Sequence, residues 1–491
     1  LGLVALLASS ARVRVAGTHG TATWGDGGAL RGRSGLLLGR HRGRDLRYDG
    51  PGHLLTVAPT RAGKGVGAVI PALLETDDSV VVTDPKGENF AITAAFRQGT
   101  MRQRVIALDP FRLVDRLGVP PGVRAAADGA YNPVDLVDTE SPDALDDAAM
   151  LADMLVVPEP GDHGAFWDDE ARALLAGLIL HVAHVAETAG TRTLLTVRAL
   201  LTLAPEDFGE LLGKMRRSEV PAVQRTANRI LQKADRERSS VVSSAQRHTH
   251  FLDSPRMERV LGGPSDGCSE APLALSDLGA GPVTLYLIVP PDRLDTFARW
   301  LRLVIACAVT ELARRPPQGR RVLFLLDEFA QLGPMAPVRR AVSLMAGYGL
   351  RVWTFLQDLT QLKALYPRNW ETFVANADVV QAFCVTDQTT AEYLSKMCGR
   401  TTVFGRSQTA GRNRGHRSSY SAGRSASEQG RDLMTADELR RLGDDSQLIL
   451  SRGKDPVLAR KVRYFSDRRL ARRAAKKSTP SEHRPTSESR L

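Results

Sequence analysis

Cysteine is scarce in this sequence. Its four cysteines, Cys268, Cys307, Cys384 and Cys398, are far apart and include no Cys-x-x-Cys pair. This spacing excludes a zinc ribbon and a small fold held together by disulfides. It favours a reducing, cytosolic setting for most of the chain.

The sequence also lacks an apolar run long enough to cross a bilayer, which takes roughly 20 residues. The chain opens with LGLVALLA, followed closely by Arg12 and Arg14. Positive charge is typical of the cytoplasmic side of a membrane span. Residues 1–15 therefore have two interpretations: an unimportant terminus, or the end of a transmembrane or juxtamembrane segment that begins before Leu1.

Aromatic residues make up only 5% of the chain, and internal repeats are absent. With 43% hydrophobic and 25% charged residues, the 491-residue chain is nevertheless typical of a globular protein with two or three domains. Its net charge of +11 indicates a polyanionic partner, either nucleic acid or an anionic membrane surface. Frequent arginine codons in a GC-rich genome explain the arginine excess equally well.

Short β-branched runs alternate with helical stretches in two parts of the chain. They are LLTVAP (54–59), SVVVTD (79–84) and RVIALD (104–109), then VTLYLIVP (283–290), RVLFLLDE (321–328), RVWTFLQD (351–358) and VVQAFCV (379–385). Buried strands alternating with helices predict an α/β fold with a mainly parallel sheet.

The intervening residues show helical periodicity and no convincing strand, which predicts an inserted all-α domain over 139–280. The α/β domain then comprises 16–138 and 281–467. Residues 405–430 are rich in Gly, Ser and Arg and are predicted to be a long mobile loop or a hairpin tip. The basic tail, 468–491, is predicted to be disordered.

A stretch resembling a phosphate-binding loop follows the first run. It consists of Ala58, Pro59, Thr60, Arg61, Ala62, Gly63, Lys64, Gly65 and Val66. A P-loop wraps phosphate in backbone N–H groups, and its lysine reaches the β- and γ-phosphates. Ala58 replaces the first glycine of that motif, however, and Gly65 replaces the hydroxyl residue that ligates Mg²⁺. Alone, the stretch fits a working site, a decayed site or a chance match.

Three further strand ends carry polar residues. Asp327 and Glu328 end an apolar run, as in a Walker B motif, where the aspartate holds Mg²⁺ and the glutamate polarises the attacking water. Gln357 ends the next run, where a side chain can sense the γ-phosphate. The motif DPKGEN, which begins at Asp84 and includes Lys86, Glu88 and Asn89, lies at the same expected sheet edge.

Eight ordered blocks now resemble the TraG/TraD type of coupling protein of type IV secretion and conjugation. Between about His19 and Tyr464 they read APTRAGKGVGAVIP, VVVTDPKGEN, YNPVDLV, AFWDDEARALLAGLI, VTLYLIVPPDRL, LLDEFAQLGPM, LQDLTQLKALYP and RDLMTADELRRL. The resemblance implies a RecA-like motor domain with an all-α insertion, N-terminal transmembrane helices missing from this chain, and assembly into a hexamer. It also implies a location at the cell membrane, with most of the chain on the cytoplasmic side.

The resemblance further implies ATP and Mg²⁺ as cofactors, and DNA or a secreted protein as the substrate passed to the secretion channel. Carried over by position, it places Lys64 on the phosphates, Asp327 on Mg²⁺, Glu328 as the catalytic carboxylate and Gln357 as the sensor. Glycine after the lysine is familiar in the TraG branch. Many relatives have an arginine before the GYG-like turn that a neighbouring subunit receives; Ala346 lies there in this chain, and Arg351 follows five residues later.

Arg225, Arg229 and Lys233 recur every four residues and predict a basic stripe on one helix face, either a DNA contact or an ordinary solvated surface. Two other functions stay open. An FtsK-like double-stranded DNA pump does not account for the helical insertion. A non-hydrolysing substrate-docking protein would account for Gly65 and the missing arginine.

Overall fold

A computed structural model describes residues 17–157, 165–185, 191–261, 273–317, 319–413 and 419–475. Eleven strands form one large sheet in the order β2-β1-β13-β12-β9-β3-β8-β7-β4-β6-β5, and β10 pairs with β11. The strands are β1 Leu36–His41, β2 Arg44–Tyr48, β3 His53–Val57, β4 Ser79–Thr83, β5 Arg104–Leu108, β6 Val283–Leu287, β7 Val322–Leu326, β8 Leu350–Leu356, β9 Ala377–Ala382, β10 Arg400–Asn413, β11 Ser419–Asp432, β12 Ser446–Ser451 and β13 Val457–Arg460.

Strands β3 to β9 are parallel, whereas β1, β2, β12 and β13 extend the sheet antiparallel beyond β9. The seven parallel strands coincide with the seven runs read from the sequence, so the predicted α/β fold with a mainly parallel sheet is confirmed. The antiparallel extension was not predicted.

Helices cover both faces of the sheet. They are α1 Ile70–Glu75, α2 Glu88–Gly99, α3 Pro121–Arg124, α4 Ala144–Leu155, α5 Ala165–Val185, α6 Leu194–Leu201, α7 Pro205–Arg216, α8 Pro221–Leu231, α9 Asp235–Thr249, α10 Pro255–Leu261, α11 Asp277–Ala280, α12 Leu294–Arg314, α13 Ala336–Leu344, α14 Leu359–Leu365, α15 Glu371–Ala375, α16 Gln388–Cys398, α17 Ala436–Arg440 and α18 Arg468–Ala474. A π-helical turn, Gly65–Val69, leads directly into α1.

Successive residues of a central strand pack into different cores because strand side chains alternate between faces. Val81 and Phe324 belong to the core that includes α4, α5 and α12, whereas Val80 and Leu323 belong to the core with α1 and α2. This burial on both sides explains why the parallel strands read as continuous apolar runs.

Between β5 and β6, the described residues form helices α3 to α11 and no strand of the sheet. The long helix α5 buries Leu174, Leu175, Leu178 and Ile179. None of the helices in the described ranges is both long and apolar enough to cross a membrane. Residues 1–15, where the sequence predicts the end of a span, lie outside those ranges.

The C-terminal tail begins with a helix, so the prediction of disorder from residue 468 is wrong for α18. The Asp467 carboxylate accepts the backbone N–H groups of Arg469 and Leu470 and caps the helix. Leu470 is fully buried, and Arg469 pairs with Glu75 at 2.6 Å. The helix was not predicted because it has a single buried leucine among basic residues. Residues 476–491 lie outside the described part.

Residues 405–430 fall largely within an antiparallel hairpin, in which β10 pairs with β11 from Arg400↔Asp432 to Asn413↔Ser419. The hairpin alternative is therefore correct for the residues described. Its tip, 414–418, lies outside them.

Candidate functional site

The predicted P-loop connects β3 to the π-helical turn before α1. The Ala58 N–H donates to the Leu356 carbonyl at 2.9 Å, which ties the start of the loop to β8. Gly63 has φ of +90°, a conformation that favours glycine. Lys64 follows and is only 7% exposed. The loop therefore turns tightly and presents its lysine inward, as phosphate binding requires.

Lys64, Glu328 and Gln357 form one hydrogen-bonded chain. Lys64 Nζ donates to Glu328 Oε1 and to the Ala58 carbonyl, each at 3.2 Å. Gln357 Nε2 donates to Glu328 Oε2 at 3.0 Å. The three residues meet because β3, β7 and β8 are adjacent parallel strands whose carboxyl ends share one sheet edge.

Glu328 has a constrained backbone. Its φ of 50° lies in the left-handed region, which non-glycine residues seldom adopt and which costs of the order of 1–3 kcal/mol. Its N–H donates to the Asp327 carboxylate at 3.0 Å, and both of its own carboxylate oxygens have donors. These contacts hold the carboxylate in one position despite the strain.

Two buried carboxylates, Asp84 and Asp327, line a cavity of about 10 Å³ at this edge, enough for about one water molecule. Burial raises the pKa of Asp84 to about 7 and that of Asp327 to about 6. Asp84 accepts the Phe90 N–H at 2.8 Å, and the Thr83 hydroxyl donates to the Asp327 carbonyl at 2.8 Å. The sequence places Asp84 at this edge but does not reveal that it is buried beside Asp327.

These carboxylates fit a magnesium site. Mg²⁺ is usually held by one or two carboxylates together with waters and substrate phosphates. The described residues contain no cluster of three or more His, Cys, Asp or Glu that could hold a metal alone. A Cβ atom at Gly65 would meet nothing within 4 Å, so a hydroxyl side chain would fit there.

A residue from the far end of the chain also contacts the P-loop. Lys461 Nζ donates to the Ala62 carbonyl at 2.9 Å and lies 4.7 Å from the centre of the Phe383 ring. The Tyr464 N–H donates to the Val66 carbonyl at 3.0 Å. Sequence reasoning missed Lys461 because no local pattern links a lysine after β13 to a loop after β3.

Arg351 does not lie at the sheet edge where Lys64, Glu328 and Gln357 meet. It is the second residue of β8 and therefore lies at the opposite edge, where the parallel strands begin. Its side chain is buried, with only 1% of the residue exposed. It donates to the Gly50 carbonyl and lies 5.4 Å from the centre of the Tyr48 ring. Because it is buried within its own subunit, Arg351 is not available to a neighbouring one.

The predicted basic stripe is not one free helix face. Helix α8 ends at Leu231, before Lys233. Arg229 and Lys233 both pair with Glu170, at 2.6 and 3.2 Å, and the Glu170 side chain is only 7% exposed. Of the three residues of the stripe, only Arg225 is exposed without an ion pair to any residue that the structure describes. The stripe is mainly a structural ion-pair cluster.

Taken together, the loop after β3, the Asp327–Glu328 pair after β7 and Gln357 after the intervening strand β8 define a protein with a RecA-like P-loop fold. The family model described as type IV secretory system conjugative DNA transfer matches residues 15–487, and this chain belongs to that family. The resemblance to coupling proteins is thus confirmed.

Individual relatives agree with this assignment. A conjugal transfer protein TraG of Escherichia coli is 29% identical over 480 residues, covering 90% of this chain and 72% of that protein. Protein VirD4 of Agrobacterium fabrum is 29% identical over 487 residues, covering 92% and 67%. The unbound structure of the bacterial conjugative coupling protein TrwB has a TM-score of 0.65 at 18% identity, covering 89% and 92%, and therefore shares the fold.

Proposed function

We propose that the protein is the coupling ATPase of a type IV secretion or conjugation system, which binds ATP and uses its hydrolysis to move or admit a DNA–protein substrate. The observation that carries the proposal is the chain Lys64–Glu328–Gln357, which joins the ends of three strands. The relatives named conjugal transfer protein support the cellular role.

The nucleotide would lie on the loop from Ala58 to Val66. Backbone N–H groups after Gly63 and the Lys64 ammonium would hold its phosphates, which would replace the Glu328 carboxylate as the partner of Lys64. Asp327, with Asp84 beside it, would hold Mg²⁺, which neutralises charge on the phosphates when bound. A TrwB structure with the same fold was determined with ADP and Mg²⁺.

Glu328 is the candidate general base. When Lys64 turns to the phosphates, Glu328 Oε1 would be free to accept a proton from the attacking water. Gln357, which donates to the other oxygen, would orient the carboxylate and change its contacts when the γ-phosphate leaves. Glu328 and Gln357 can cooperate in this way because they follow neighbouring strands, β7 and β8, whose ends hold the two side chains side by side.

The family implies further partners for this chain. We propose DNA, with or without a bound relaxase, or a secreted protein as cargo, and components of the secretion channel as the receiving partner. We further propose a homo-hexamer at the inner membrane, with most of the chain on the cytoplasmic side. An arginine other than Arg351 would then act between subunits.

Two measurements separate this function from its alternatives. ATP hydrolysis by the parent and by Lys64→Ala, each with and without DNA, tests the motor; equal rates would refute it and favour the non-hydrolysing docking protein. Crosslinking in donor cells during transfer tests the cargo. DNA crosslinked to this protein only while conjugation proceeds supports a coupling protein, whereas crosslinks independent of the channel favour the FtsK-like pump.

A further inference from the structure

A groove lined by arginines lies between the loop after β5 and helix α10. Its volume is about 640 Å³, and Arg112, Arg116, Arg256 and Arg259 line it together with the Phe111 ring. Two of these arginines come from the loop and two from the helix, so the groove exists only in the folded chain. The sequence around Arg112 and Arg116 has no recognisable motif, so the groove could not be predicted from it.

The groove carries uncompensated positive charge. Its lining carboxylate, Asp115, pairs with Arg124 at 2.9 Å. Arg112, Arg116 and Arg256 are exposed and have no ion pair with any residue that the structure describes. Arg259 donates to the Asp109 carbonyl at 2.7 Å. Burial, followed by the like charge of Arg112, lowers the pKa of Arg259. The nearby carboxylates of Asp109, Asp128 and Asp115 act in the opposite direction.

The groove is also held rigidly. The buried Asp109 carboxylate accepts the N–H groups of Phe111 and Val114, at 3.2 and 2.9 Å, and so fixes the loop. The Phe111 ring packs edge-on against Phe297 of α12, with centroids 4.9 Å apart. The Arg256 guanidinium lies 5.3 Å from the centre of the Phe111 ring. These contacts position the loop backbone and the Arg256 guanidinium before any ligand arrives, which lowers the cost of binding.

The groove lies at the same edge of the sheet as the nucleotide site. Strand β5 is two places from β4, and the groove begins just after its carboxyl end. Helix α12 links the two sites, because Phe297 contacts the groove loop while Leu294 and Leu301 line the cavity beside Asp84 and Glu328.

From this placement we infer that the groove binds the phosphodiester backbone of the DNA substrate, an inference that rests on the proposed function. Several guanidinium groups with free N–H donors suit phosphate oxygens, and they recognise the backbone without reading sequence. The groove thus takes the DNA-contacting role that was one of the two interpretations of the stripe of Arg225, Arg229 and Lys233.

The test compares two triple variants that remove the same charge. One is Arg112→Gln/Arg116→Gln/Arg256→Gln in the groove. The control is Arg217→Gln/Arg225→Gln/Arg236→Gln, at exposed arginines of α7 to α9 without ion pairs in the described ranges. Binding of a labelled 30-nucleotide strand and of its duplex is measured from 50 to 300 mM salt. Thermal unfolding midpoints check that both variants fold.

We expect the groove variant to bind DNA roughly 100-fold more weakly at 0.1 M salt, with its salt slope reduced by about two to three, and the control to match the parent. Equal losses in both variants would overturn the inference in favour of net charge, and no loss in the groove variant would overturn it directly. A parent that binds phosphatidylserine vesicles but not DNA would also overturn it. A parent that binds DNA through the groove but hydrolyses no ATP would refute only the proposed function.

Discussion

Lys64 Nζ lies 3.2 Å from Glu328 Oε1, although 264 residues separate the two in sequence. The ion pair joins the proposed phosphate-binding lysine to the candidate base, and Gln357 Nε2 donates to the other carboxylate oxygen. We expect a phosphate bound at Lys64 to replace its contact with Glu328, because both are anionic partners of the same ammonium. This exchange links occupancy of the site to release of the base.

The glycine after Lys64 leaves room for the hydroxyl that other P-loops have. We expect Gly65→Ser to lower the Mg²⁺ concentration needed for half-maximal ATP hydrolysis several-fold, because the new oxygen would add a ligand. Gly65→Ala is the matched control, since both variants gain roughly 0.5–1 kcal/mol of helix propensity. Indistinguishable Mg²⁺ titrations for Ser and Ala would show that position 65 does not face the metal.

Lys461 acts on the P-loop through the Ala62 carbonyl. Loss of this bond in Lys461→Met should raise KM for ATP roughly tenfold and leave kcat within about twofold, because about 1.4 kcal/mol of loop positioning corresponds to tenfold in binding. Lys461→Arg should restore most of the affinity. A fall in kcat at unchanged KM would instead place Lys461 in the chemical step.

His53 should contribute stability that is lost in mild acid, measured as the difference between the parent and His53→Gln. This buried histidine accepts the Val352 N–H at 3.1 Å, and burial lowers its pKa from 6.5 to about 4. Its contribution is complete above about pH 6.5 and is lost as the pH falls towards 4, because the unfolded chain takes up the proton first. The loss amounts to about 3 kcal/mol. Urea unfolding at several pH values should show less of this loss in His53→Gln; parallel curves would contradict the assignment.

The Glu170 cluster should contribute to stability. Arg229→Met/Lys233→Met leaves the buried Glu170 carboxylate without its partners and should lower the free energy of unfolding by about 2 kcal/mol. This figure is below the usual cost of breaking a buried pair because Arg229 is half exposed. Adding Glu170→Gln should recover at least half, and Arg225→Met should change nothing measurable. Loss of DNA affinity without loss of stability would return the stripe to a DNA-binding role.

The parallel core could be predicted because strands covered on both faces read as unbroken apolar runs. Two of the antiparallel strands lack such a run: β2 begins with exposed Arg44, and β13 alternates buried and exposed residues over only four positions. Helix α18 was missed because one buried leucine, Leu470, anchors it among charged neighbours.

The candidate site also has a part that could be predicted from the sequence and a part that could not. Lys64, Asp327, Glu328 and Gln357 could be placed together because the ends of parallel strands share an edge. The burial of Asp84 beside Asp327, the contact of Lys461 with Ala62 and the arginine groove all depend on packing between distant segments. No local pattern encodes such contacts, so only the folded chain reveals them.

The most direct test of the account is the Glu328→Gln variant, measured for nucleotide binding and for hydrolysis in the same preparation. The amide keeps the size of the side chain but neither attracts Lys64 as a charge nor accepts a proton. We predict ATP binding at least as tight as in the parent and a rate of hydrolysis lower by at least about 100-fold. Hydrolysis at the parent rate would contradict the assignment of Glu328 as the base and, with it, the proposed motor.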